Sequence, residues 1–79
     1  MLSTGNQLRA ARSLVAMDQV TLADKSQVSA NTIRAMESKG AAILTSGLDT
    51  VRAVQAALEA AGVEFLNHGR PGVRLRGEG

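Results

Sequence analysis

The chain has 79 residues, nine basic and seven acidic side chains, one histidine and no cysteine. That length makes one domain with a small core, and the missing cysteines exclude a disulfide framework and a thiolate metal site. Phe65 is the only aromatic residue, so a single-strand-binding surface of stacked bases has nothing to stack on.

The first predicted helix opens at Thr4-Gly5-Asn6-Gln7. In this capping-box spacing, Thr4 and Gln7 satisfy each other's free amides. Leu8, Ala11, Leu14 and Val15 then recur at helical spacing, flanked by Arg9 and Arg12, and the helix ends near Ala16 and Met17. Asp18 is a good N-cap for a second helix from about Gln19 to Ser26, with Leu22 and Ala23 facing inward. Ser29 caps a third helix that runs to about Ser38 and stops at Lys39-Gly40, where glycine tolerates the left-handed cap. Ile33 and Met36 anchor it; Ala30, Asn31, Thr32, Arg34 and Ala35 point outward. Met17 and Met36 read as core fillers.

Residues 41–45 form a loop with apolar Ile43 and Leu44, part of which is expected to fold back onto the core. Ser46-Gly47-Leu48-Asp49 resembles another capping box. It opens a fourth helix with Leu48, Val51, Val54 and Leu58 on one face, ended by Gly62. The period then changes to alternation. Val63 and Phe65 oppose Glu64, a turn-rich stretch of residues 67–72 follows, and Val73 and Leu75 alternate with Arg74 and Arg76. This is a β-hairpin with one apolar face. An isolated two-stranded hairpin is barely stable in water, so it needs a helix or another chain to pack on. The reading is therefore mostly α: a helical body over residues 1–62, then a hairpin and tail over residues 63–79.

The stretch from Gln19 to Glu37 is a helix, a tight turn and a second helix. Together with Leu8, Arg12, Gln19, Leu22-Ala23, Val28-Ser29, Thr32-Ile33, Glu37 and the fourth-helix opening LDTV, it resembles the lambda-repressor-like helix-turn-helix domains of the XRE family of bacterial and phage regulators. The resemblance covers Leu8 to Leu58. Two positions depart from it: Gln27 stands where the turn usually has glycine, and Asp18 where a neutral cap is usual. The resemblance implies that the third helix enters the DNA major groove. It also implies a backbone contact by Gln19 and an ion pair between Arg12 and Glu37.

The outward residues suit that role. Asn31 can bond adenine in a bidentate way, Arg34 can bond guanine or phosphate, and Ala30 can touch a thymine methyl. Ser29 can face a phosphate and Lys39 the backbone; with Gln19, Thr32 and Ala35 these make up the expected DNA-binding set. One helix reads few base pairs, so the expected assembly is a twofold dimer on a palindromic operator. Val63, Phe65, Leu66, Val73 and Leu75 are the expected dimerisation residues.

No paired carboxylates, nucleophile-base spacing or phosphate-cradling glycine loop is present. The expectation is a non-enzymatic regulator, a repressor or dual regulator, with no cofactor and no metal. His68 reads as an exposed turn residue and residues 77–79 as frayed. No apolar run resembles a signal peptide or spans a bilayer, so the expected location is cytoplasmic, on the nucleoid. A second reading, of a different class, is a helix-turn-helix fold used as a protein-interaction module, an antiactivator or antitoxin partner. Helix 3 discriminates the two: only a regulator loses DNA affinity when Asn31 or Arg34 is truncated.

Overall fold

The computed structural model describes residues 1–67 and 69–77. His68 and residues 78–79, with the expectations of an exposed histidine and a frayed end, lie outside the described residues. Four helices are followed by a two-stranded hairpin: α1 (Gly5–Leu14), α2 (Gln19–Ser26), α3 (Ala30–Glu37), α4 (Leu48–Ala60), β1 (Val63–Leu66) and β2 (Gly72–Leu75).

Local chemistry sets the element boundaries. Thr4 has extended backbone and accepts from Gln7 N, while the Gln7 side chain returns to the Thr4 amide, which completes the capping box. Asp18 and Ser29 cap α2 and α3 in the same extended conformation. The start of α4 differs from expectation. Gly47 is the N-cap and no side chain bonds the free amides, so the Ser46 capping box does not form. Leu48, expected on the inner face, is 52% exposed, because the apolar stripe of α4 begins one turn later.

Leu8 and Ala11 of α1, Leu22 of α2, Ile33 and Met36 of α3, and Val51, Val54 and Leu58 of α4 form one core with Met17. Leu2 joins it from the N-terminal segment. That segment lies against the loop after α3: Thr4 bridges Ile43, and Leu44 N donates to Ser3 O at 2.8 Å. The part of the loop that folds against the core is Leu44, while Ile43 is 66% exposed. The residues alternate across this short bridge, so only one of the two can face inward.

Gln27, Ala16 and Gly5 are among the positions that depend on unusual backbone or close approach. Gln27 ends α2 at φ 59, in the left-handed region glycine usually fills. Ala16 lies at φ 52 just after α1. Gly5 is required by contact: a Cβ there would stand 2.5 Å from Met36 O and 2.8 Å from Glu37 O, so only glycine lets α1 lie so close to the end of α3.

β1 and β2 pair antiparallel, Val63 opposite Leu75 and Phe65 opposite Val73. The hairpin packs on α1, and β1 also on α4. Its need for a packing partner is met within the chain.

Candidate functional site

α3 is held from beneath. Ile33, Met36 and Glu37 are buried, and α1 and α2 supply the surfaces they rest on. Asn31, Arg34, Ala35 and Lys39 are exposed; Ala30 and Thr32 are half-buried. Ser29 Oγ accepts from Thr32 N at 3.1 Å and donates to Thr32 Oγ1 at 2.9 Å. On the outer surface, Arg34 Nη1 donates to Asn31 Oδ1 at 2.7 Å. The spacing of three residues puts both side chains on one face, one turn apart.

The turn before α3 is fixed by small contacts. Ser26 Oγ donates to Leu22 O at 2.7 Å, Val28 N donates to Ala23 O at 3.2 Å, and Gln27 Nε2 donates to Asp24 O at 2.7 Å. Val28 packs against the core. At the other end of α2, Thr21 N donates to Asp18 Oδ1 at 2.7 Å. That backbone amide, with the Thr21 hydroxyl, holds the Asp18 carboxyl below the usual carboxylate range.

Beneath the motif lies a polar hub. Arg12 Nε donates to Glu37 Oε2 at 2.5 Å and Arg12 Nη2 to Glu37 Oε1 at 2.8 Å. Arg12 Nη1 reaches Met17 O at 3.0 Å, and so also closes the α1–α2 connection. Gln19 Nε2 donates to Glu37 Oε1 at 3.2 Å, and Arg9 Nε lies 3.7 Å from the same oxygen. Burial pushes the Glu37 carboxyl up, but the hydrogen bonds and charge of Arg12, followed by Gln19 and Arg9, outweigh it and hold Glu37 below its ordinary value. Arg12 is raised in turn, chiefly by its hydrogen bond to Glu37.

The expected Arg12–Glu37 pair is thus present, linking α1 to α3. Gln19 and Arg9 were not expected in it. Gln19 is half-buried, and its side chain is tied to Glu37. Arg9, which flanks the apolar face of α1, leans on the same carboxylate.

The hairpin residues divide. Val63 is 1% exposed and belongs to the core, and Phe65 and Val73 pack against it. Val63 is therefore not available to a second chain, because its face of the hairpin is covered by α1 and α4. Leu66 is half-buried and Leu75 is 51% exposed. Arg74, on the polar side of the hairpin, donates from Nε to Glu64 Oε1 of the opposite strand at 2.6 Å.

Sequence reading missed Gln7 as a long-range tie. Beyond its capping role, its buried amide donates to Gly72 O at 3.1 Å and Leu66 O at 3.4 Å. One side chain thereby joins α1 to both strands. The available signal was a capping-box glutamine whose amide hydrogens have no local acceptor. Gly5 was also passed over, although glycine in a first helical turn signals close approach.

Among the described residues, no cluster of three metal-ligating side chains occurs, and no helix is long and apolar enough to cross a membrane. The chain matches no protein-family model and no curated protein.

Proposed function

We propose that the chain is a sequence-specific double-stranded-DNA-binding regulator of transcription with a lambda-repressor-like arrangement of its helices, a repressor or dual regulator that acts from the cytoplasm on DNA. One observation carries the reading. α3 is capped at Ser29, anchored from below by Ile33, Met36 and Glu37, and leaves Asn31, Arg34, Ala35 and Lys39 exposed. An α-helix fits the major groove, and side chains of these types meet base edges and phosphates there.

The polar hub supports the same reading. Glu37 is the only acid of α3, and it is turned inward and paired with Arg12. The outer face therefore presents no carboxylate of its own helix to a phosphate. Ser29 and Lys39 flank the helix where backbone contacts are made, and Gln19 keeps a second amide hydrogen for the same purpose. The regulator acts as a homodimer on a palindromic operator. The part of the hairpin open to a second copy is Leu75 with the outer edge of β2.

Selection of bound sequences from random duplex DNA tests this. Recovery of a twofold symmetric motif, with binding that weakens steeply as salt rises, is the expected result. No enrichment at low salt overturns it and favours a protein-interaction module instead.

A further inference from the structure

Building on the proposed DNA reading, we infer that Asn31 and Arg34 act as a single reading unit that presents hydrogen-bond donors and selects guanine. The sequence alone allowed Asn31 to read adenine by itself. The hydrogen bond between the two side chains changes that assignment.

Arg34 has only donors. Its contact with Asn31 at 2.7 Å therefore fixes which end of the amide faces it: the oxygen, with Nδ2 turned away. Asn31 carries one acceptor oxygen, with two lone pairs, and two donor hydrogens. A bidentate contact to adenine needs the oxygen as acceptor for N6–H while Nδ2 donates to N7. Here that oxygen is held by a guanidinium in a charge-assisted bond, roughly twice as strong as a neutral one. One lone pair of that oxygen is left, and it is outnumbered by the two Nδ2 hydrogens and the remaining guanidinium hydrogens, so the unit presents mainly donors.

Guanine is the base that answers a donor fork. Its major-groove edge offers O6 and N7, both acceptors, while adenine offers one acceptor and one donor. The rest of the α3 surface adds hydroxyl groups already engaged in local bonds and no carboxylate. Ser29 and Thr32 hydroxyls bond each other, Ser38 Oγ donates to Ala35 O at 2.6 Å, and Glu37 is buried under Arg12. Asn31 also orients the guanidinium before binding, so less side-chain freedom is lost on contact. It is a positioning residue for Arg34 as well as a contact.

Duplex selection with the whole chain, repeated with Asn31→Ala and Arg34→Ala, tests the unit. The wild-type motif is expected to carry a guanine in each half-site. Arg34→Ala is expected to lose that preference, and Asn31→Ala to keep guanine with a weaker preference. Replacing that guanine by 7-deazaguanine, which lacks N7, should weaken wild-type binding about tenfold. Both residues are exposed, so urea midpoints should stay at the wild-type value; the base-analogue arm uses only the wild-type chain and needs no variant to fold. A symmetric motif whose specified bases exclude guanine, or an adenine whose preference vanishes in Asn31→Ala and persists in Arg34→Ala, overturns the unit and leaves the DNA reading standing. No enrichment by the wild-type chain overturns both.

Discussion

Arg12 and Glu37 lie 25 positions apart in sequence and meet through two hydrogen bonds of 2.5 and 2.8 Å, with Glu37 only 3% exposed. The pair fastens the end of α3 to α1. Removing one partner leaves a buried charge with poor compensation, which costs about 3–5 kcal/mol. Arg12→Met is expected to lower the unfolding free energy by about that amount in urea titrations. The double variant Arg12→Met with Glu37→Leu should recover most of the loss, since no charge then remains to be solvated. If the double variant is as unstable as the two single losses added together, the pair is not coupled as described.

The same pair sets a pH dependence. Glu37 is held below its ordinary value in the folded chain, net of a burial effect that acts the other way. Its contribution to stability is therefore complete above the unfolded glutamate value of about 4.3. It is lost as pH falls through the lower folded value, because the unfolded chain takes up the proton first. Asp18, also held low, acts in the same direction. Urea midpoints should fall on acidification below about pH 4.3, and the fall should be shallower for Glu37→Gln. Parallel curves for the two proteins would show that Glu37 is not the titrating group.

Gln7 joins the helical body to the hairpin. Its oxygen accepts from Ser3 N at 2.7 Å and Thr4 N at 3.3 Å, and its amide donates to Gly72 O and Leu66 O. Gln7→Leu leaves several of these groups without a partner, at about 1–3 kcal/mol for each that stays buried. The expected signature is local as well as global. Amide exchange in β1 and β2 should accelerate more than in α2 or α3, as measured by hydrogen exchange. Uniform acceleration across the chain would mean that Gln7 ties no particular element.

These contacts mark the limit of what the sequence discloses. The caps at Thr4, Asp18 and Ser29 and the hairpin were legible, because each rests on residues within a few positions of one another. So, from the 3.6-residue period of α3, were the exposed Asn31, Arg34 and Ala35, while Ala30 and Thr32 of the same expected outward set are half-buried. Gln7 bonds carbonyls 59 and 65 positions away, and Gly5 answers to backbone in α3; the sequence can signal that each needs a neighbour but not which one. The apolar residue Leu48 misled for a related reason: hydrophobicity says that a residue can be buried, and only the packed neighbours decide whether it is. The hairpin's apolar face suggested a partner chain for Val63, when α1 and α4 already cover it.

Gly5 allows a direct check of the α1–α3 approach. Gly5→Ala adds helix propensity, worth about 1 kcal/mol in a helix interior. Against this, the new methyl would meet Met36 O, Glu37 O and Gly40 N, all at 2.9 Å or less. These are backbone atoms and cannot rotate aside. Overpacking of this kind costs typically about 1–3 kcal/mol, so the variant should be less stable, with the lower urea midpoint that follows. A stability equal to or above wild type would mean that α1 and α3 are farther apart than described.

Ala16 offers the opposite case, a substitution expected to stabilise. Its φ of 52 places a Cβ in the left-handed region, at a cost of about 1–2 kcal/mol relative to glycine. The side chain is exposed and makes no contribution to the core. Ala16→Gly removes the strain and adds unfolded-chain entropy that costs about 0.5–1 kcal/mol. The strain term is the larger, so a net gain of up to about 1 kcal/mol is expected, read as a higher urea midpoint with unchanged slope. Because Arg12 holds Met17 O next door, the gain should persist in Ala16→Gly only while Arg12 is present. With Arg12→Met the connection is free to relax, and the same substitution should lose its benefit. Equal effects in both backgrounds would show that the left-handed residue is fixed by the chain around it and not by the Arg12 contact.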